Sequence, residues 1–161
     1  MTVTNSTKTP EDLQLAITAE FAAGVDRVWQ VWEDPRQLER WWGPPTWPAT
    51  FEDYDFQPGG KAAYYMTGPD GSKPRGWWQF TSISAPTALV VEDGFADDNG
   101  DPMTEMGSAS MSVSLEDRSG LTLMTITTTF ENEAQMEQML AMGMEEGMRE
   151  AMGQIDSILA G

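Results

Sequence analysis

Between residues 51 and 130 the chain alternates apolar and polar residues almost throughout, and over residues 133–159 it changes to helical spacing. The strand candidates 51–56, 62–66, 77–83, 89–91, 109–115 and 121–130 are separated by Gly59-Gly60, Gly68-Pro69-Asp70-Gly71, Ala85-Pro86, Asn99-Gly100 and Ser119-Gly120. Those intervals suit an antiparallel meander. The clearest strand is SASMSVSL, in which Ala109, Met111, Val113 and Leu115 face one way and Ser108, Ser110, Ser112 and Ser114 the other. One side of the sheet is therefore core and the other is water.

Ahead of the meander, Leu13, Leu15 and Ile17 alternate with polar residues up to Glu20 and Phe21, which marks a further strand. Val25, Val28, Trp29 and Trp32 then recur at helical spacing through Val25–Glu33. Asp34 is placed as an N-cap, with Pro35 at the first helical position and Gln37 at the third, so a second short helix carries Leu38, Trp41 and Trp42 until Gly43-Pro44-Pro45 ends it. Residues 1–10 are polar and read as a disordered tail. Residues 11–161 read as one domain.

The terminal segment predicts one helix roughly 40 Å long at 1.5 Å per residue. Met136, Leu140, Met144, Met148, Met152 and Ile155 fall on its apolar face, while Met142 falls among the polar residues and is expected to be exposed. Gly143, Gly147 and Ala151 recur every four residues beside the ridge of Met144, Met148 and Met152. A glycine inside a helix costs about 1 kcal/mol relative to alanine. Two of them need a reason: either the sheet comes close, or the absent side chains leave a cavity that flexible methionines shape around a guest.

Composition removes several kinds of chemistry. Neither cysteine nor histidine is present, so thiolate nucleophiles, Ser-His and Cys-His pairs and the usual zinc ligands are all excluded. A net charge of −17, from 26 acids against 9 bases, repels nucleic acid and anionic membrane surfaces. The acids read as a solvated face, with attraction of a cationic ligand or basic partner as the alternative. The start carries no secretory signal and no later window approaches the roughly 18 apolar residues of a membrane span, so a cytoplasmic location without a span is expected. Asp97, Asn99 and Asp101 have the spacing of a calcium loop, but Gly100 is misplaced and Ser108 stands where a bidentate glutamate belongs. That segment reads as an acidic hairpin loop, and neither metal nor cofactor is expected.

Seven tryptophans are several times the usual share, and Trp32, Trp41, Trp42, Trp47, Trp77 and Trp78 cannot all enter one core without partners for their N–H groups. Some are expected at a rim. Trp77 and Trp78 are adjacent on a strand and face opposite ways, and the period leaves open which one faces inward. Tyr64 shares strand parity with Met66; its hydroxyl could orient a ligand carbonyl or act as a weak acid, or it is a core tyrosine bonded to backbone.

The order of strand, two short helices, meander and long C-terminal helix resembles the helix-grip fold of the START and birch-pollen-allergen superfamily, an α+β fold. Within it, VWQVWEDPRQLERWWGP, DFQPGG, YYMTGPDG and GMEEGMREAMGQIDSILA are similar to bacterial homologues of the C-terminal domain of the heat-shock protein 90 ATPase activator. The similarity covers residues 11–160 and not the activator's separate N-terminal domain; Met148 stands where the family's helix usually carries Trp. The resemblance implies a curved antiparallel sheet of six or seven strands wrapped around the last helix, with a hydrophobic cavity between them. It sets Trp41 and Trp42 by the cavity mouth and the face of Tyr64 and Met66 along its wall.

The expected function is binding of a small hydrophobic molecule of lipid, polyketide or aromatic type, without catalysis. Its candidate residues are Trp41, Trp42, Tyr64, Met66, Trp77, Trp78, Met111, Met124, Gly143, Met144, Gly147, Met148 and Met152. The alternatives are a protein-interaction module with a chaperone as possible partner and a cyclase- or hydrolase-like enzyme. A carboxylate with a strongly raised pKa inside the cavity would favour the enzyme.

Overall fold

A computed structural model describes residues 2–103, 105 and 107–160. Its strands are β1 (Thr2–Thr9), β2 (Gln14–Phe21), β3 (Ala49–Tyr54), β4 (Lys61–Met66), β5 (Arg75–Ser84), β6 (Ala88–Ala96), β7 (Ser108–Arg118) and β8 (Leu121–Thr129). All pair antiparallel in one sheet, in the order β1-β2-β8-β7-β6-β5-β4-β3. From β3 to β8 each strand neighbours the next, which is the meander that the turn spacing implies. Between β2 and β3 the helices α1 (Val25–Glu33) and α2 (Pro35–Leu38) carry the chain from one end of that meander to the other. The arrangement is α+β and helix-grip in type.

The sheet has eight strands rather than six or seven because residues 2–9 are β1 and not a disordered tail. That segment lacks the apolar alternation by which a half-buried strand is recognised. It forms because threonine suits extended backbone and β2 offers an open edge, a tertiary effect rather than a local one. The Lys8 ammonium meets the Glu145 carboxylate at 3.2 Å and the Ser6 hydroxyl donates to the same side chain, tying this edge strand to the C-terminal helices. Met1 of the expected tail and Gly161 at the expected domain end lie outside the described residues.

Helix α1 has the limits its periodicity implies and buries Val28, Trp29, Val31 and Trp32. Asp34 caps α2 by accepting from the Arg36 N–H at 2.9 Å and from the Gln37 side chain at 3.1 Å. This helix stops at Leu38, so Trp41 and Trp42 occupy the following turn, where both their N–H groups donate to the Leu38 carbonyl. The Asp97–Asp101 segment is the expected hairpin loop: the Asp97 carboxylate accepts from the N–H groups of Asn99 and Asp101 at 2.9 and 3.0 Å.

The terminal segment is not one rod. It consists of α3 (Glu133–Ala141), α4 (Met144–Met152) and α5 (Ile155–Ala160). Gly143 separates the first two at φ +88°, a left-handed conformation that L side chains resist. A Cβ there would meet only open space, so the backbone conformation, and not a close neighbour, is what requires glycine. Gly147 lies inside α4, and a Cβ on it would touch only Pro44 Cγ at 3.7 Å, an ordinary contact. The two glycines should therefore respond to alanine in opposite senses. Gly143→Ala is expected to lose about 1–2 kcal/mol and Gly147→Ala to gain up to about 1 kcal/mol, read from urea unfolding midpoints. Equal shifts for both would contradict this account.

The core lies between the concave sheet face and the helices. Leu15, Ile17, Phe21, Met124, Ile126, Met111, Val113, Leu89, Val91, Trp78 and Phe80 come from the strands, and Met136, Met152, Ile155 and Ile158 from the C-terminal helices. Burial is deep at the start of α3 and again from Ala151 onward, while residues 137–150 are half-buried or exposed. Over that central stretch the helices stand off the sheet.

Candidate functional site

Beneath the junction of α3 and α4 lies a cavity of about 320 Å³, at the low end of the roughly 300–1,000 Å³ usual for small-molecule sites. Its floor is the part of the concave sheet contributed by β4, β6 and the start of β7, and its roof is the methionine-rich stretch around Gly143. The turn after α2 supplies one wall. That turn is held by Gln154, whose side-chain amide donates to the carbonyls of Gly43 at 2.7 Å and Trp41 at 3.3 Å. At the other end Gln135 donates to the Ser108 carbonyl at 3.1 Å and accepts from the Glu131 N–H at 2.7 Å.

Of the residues singled out from sequence, Trp42, Tyr64, Met66, Gly143, Met144, Gly147 and Met148 line this space. Trp41, Trp78, Met111, Met124 and Met152 do not. They are 0–1% exposed and fill the core beside it, so the methionine ridge is divided, with Met144 and Met148 over the cavity and Met152 packed past its end. Trp78 is the inward member of its pair. Trp77 lies on the outer face across from Gly94, where any side chain would collide with its indole at 2.8 Å. Met142 is 59% exposed, as its position on the helical wheel implies, and borders the cavity mouth.

The tryptophans pack more densely than the shortage of N–H partners suggested. Trp41 donates to the Val31 carbonyl at 2.9 Å and Trp32 approaches the Met124 sulfur at 3.4 Å. The indole N–H groups of Trp29, Trp42, Trp77 and Trp78 are buried with no hydrogen-bond partner. Ring contacts replace polar satisfaction here: Trp78 sits 4.9 Å from Trp42 and 5.5 Å from Phe51, and Trp32 sits 4.8 Å from Trp41.

Asp93 is the residue that sequence reasoning missed. The strand candidate there ends at Val91, whereas β6 runs on to Ala96 and keeps its parity, so Leu89, Val91, Asp93 and Phe95 all face inward. An acid in step with Leu89 and Val91 was the available signal. Among the described residues lining the cavity Asp93 is the one charged group, and no side chain donates a hydrogen bond to it. Burial, and then the neighbouring Glu92 charge, push its carboxyl up to about 7 from 3.8.

Tyr64 lies over Gly76 and is close enough to feel the Asp93 charge. Tyr64 on β4 pairs with Gly76 on β5, and a Cβ on Gly76 would fall 2.4 Å from the Tyr64 hydroxyl. With no side chain in the way, the phenol ring lies across β5 toward β6. Its hydroxyl is shifted well above the ordinary tyrosine range, first by burial and then by the Asp93 charge. The Trp42 indole offsets part of that rise, although its N–H does not reach hydrogen-bond geometry with the hydroxyl. Tyr64 thus remains protonated at any ordinary pH and is available as a donor. Among the described residues no backbone group partners its hydroxyl, unlike the plainer expectation of a tyrosine bonded to backbone.

No group of three or more His, Cys, Asp or Glu side chains among the described residues is placed to hold a metal ion. No helix there is long and apolar enough to cross a membrane. The arrangement can enclose an apolar body and offer it a carboxyl and a phenol.

The fold matches solved structures along nearly its whole length. A solution NMR structure of a protein from Arthrobacter aurescens is 62% identical, with a TM-score of 0.95 over 99% of this chain and 92% of that one. A crystal structure of a protein from Mycobacterium smegmatis is 42% identical, with a TM-score of 0.91 over 98% and 97% of the two chains. The AHSA1 protein from Silicibacter pomeroyi, at 20% identity and a TM-score of 0.74 over 91% and 97%, shares the fold. No curated protein matches the chain. The family model for Activator of Hsp90 ATPase homolog 1-like proteins matches residues 22–160, and the chain belongs to that family.

Proposed function

We propose that the protein binds a small, mostly apolar molecule in the cavity between the concave sheet and the α3–α4 junction. The observation that carries this reading is the cavity itself: about 320 Å³, walled by methionine, tryptophan and phenylalanine, with Asp93 and Tyr64 as polar groups in its lining. Trp42, Tyr64, Met66, Met144 and Met148 would contact the guest, and Trp42 and Tyr64 are held by the aromatic core behind them. Methionines on a broken helical segment suit guests of varied outline.

Titration with the neutral probe 4-phenylbutan-1-ol, followed by calorimetry and tryptophan fluorescence, tests the proposal. Saturable one-to-one binding is expected. Ala109→Phe, which places a ring on the cavity floor, is expected to weaken binding at least about tenfold, or 1.4 kcal/mol, while the protein stays folded. Absence of binding, or equal affinity in the filled variant, would remove the proposal.

The family's description supports a second reading, a module that docks on an Hsp90-type chaperone. It is tested by the chaperone's ATPase rate with and without the protein; an unchanged rate counts against it. Asp93 also has the raised carboxyl that a general acid or base needs, which supports the enzymatic alternative. Recovery of the bound probe in altered form, seen by mass spectrometry, would favour that alternative over simple binding.

A further inference from the structure

We infer that the cavity's ligand carries a protonated amine or similar organic cation at one end, and that Asp93 is the group that receives it. The inference rests on the proposed binding function and specifies the chemistry of the guest.

A carboxyl group facing an apolar space without a single hydrogen-bond donor is an expensive feature for a fold to keep. Asp93, half-buried with its carboxyl on the cavity, receives no hydrogen bond among the described residues. β5 and β7 present Trp78 and Ala109 beside it in the strand register, and α3 and α4 present Gln135 and methionines around the cavity. No lysine or arginine is among the described residues that line the space. The titratable groups acting on Asp93 are Tyr64 from β4, which stays neutral, and Glu92 from its own strand, which is itself acidic. No positive charge within the site compensates the carboxylate, so the missing partner is one the guest can bring.

Two further observations agree. Trp42, Tyr64 and Phe95 line the same cavity, and aromatic rings attract organic cations over their faces. The chain's net charge of −17 draws cations toward the open mouth and repels anions, which disfavours fatty acids and other carboxylates as guests. The Tyr64 hydroxyl oxygen would complete the recognition by accepting one hydrogen bond from the ammonium.

A matched pair of probes tests this: 4-phenylbutylamine against 4-phenylbutan-1-ol, which share shape and apolar area. At pH 8.5, where Asp93 is ionised and the amine protonated, the amine is expected to bind at least tenfold more tightly than the alcohol. At pH 5.5, where Asp93 is neutral, the preference should fall to under threefold. Asp93→Asn should abolish the preference at pH 8.5, so that the variant binds the amine and the alcohol with similar affinity. A preference that survives in Asp93→Asn would assign it to overall charge and overturn the inference. If the alcohol binds and the amine binds no better, the inference fails and the binding function stands; if neither binds, both fail. Tyr64→Phe serves as a second variant and is expected to weaken amine binding by less than Asp93→Asn does.

Discussion

Replacing Trp78 with alanine is expected to destabilise the fold by about 3–5 kcal/mol and to lower the melting temperature by on the order of 10 °C. Trp78 is fully buried and is the hub of the aromatic core, with Trp32, Trp42, Phe51, Tyr54, Tyr64 and Phe80 all within 6.3 Å of its ring. No single neighbour can fill the space its removal would leave, because each is fixed by the others. Trp78→Phe should behave differently. It keeps a ring in place and removes an indole N–H that is buried without a partner, so the loss should not exceed about 2 kcal/mol. Thermal unfolding of both variants checks the pair. A phenylalanine variant as unstable as the alanine variant would show that the indole N–H is satisfied after all.

The second large effect depends on pH. Asp93 releases its proton near 3.8 in the unfolded chain and near 7 in the folded protein. Between those values the folded state holds a proton that the unfolded state has lost. Asp93 therefore favours the fold fully below pH 3.8, and that contribution disappears as pH rises through 7. At about 1.4 kcal/mol per pH unit, the change across the window is at most about 4 kcal/mol, lessened because the carboxyl borders the water of the cavity. Asp93→Asn cannot titrate. The variant is expected to be about 2–4 kcal/mol more stable than the native protein at pH 8 and to match it near pH 4. Parallel stability curves for the two proteins would mean that Asp93 is solvated like a surface acid. A gain in stability on losing a charge would also fit a residue kept for binding rather than for folding.

Val25–Glu33, the Asp34 cap and the strands of the meander were legible because each follows from a period or a capping preference within a few residues. Tyr64 and Met66 were assigned to the cavity wall by parity together with the resemblance, and both line it. The helical wheel sorted the methionines correctly into inward and outward, yet it could not tell those over the cavity from those packed solidly beside it. That distinction depends on where the helices lift from the sheet, which Gly143 and Gln154 decide through a left-handed turn and a side-chain bond to a distant loop.

Alternation by itself determined the sheet and its inner face, since side chains on a strand have only two directions; that Asp93 lies on that face follows from β6 running on past Val91 to Ala96. Composition determined which chemistries are absent. Tertiary structure alone decided that residues 2–9 become a strand, because an edge strand needs a neighbour's backbone rather than an apolar face of its own. It also decided that Tyr64 comes within reach of the Asp93 charge by lying over the empty position at Gly76, an arrangement across three strands that leaves no periodic trace in the sequence.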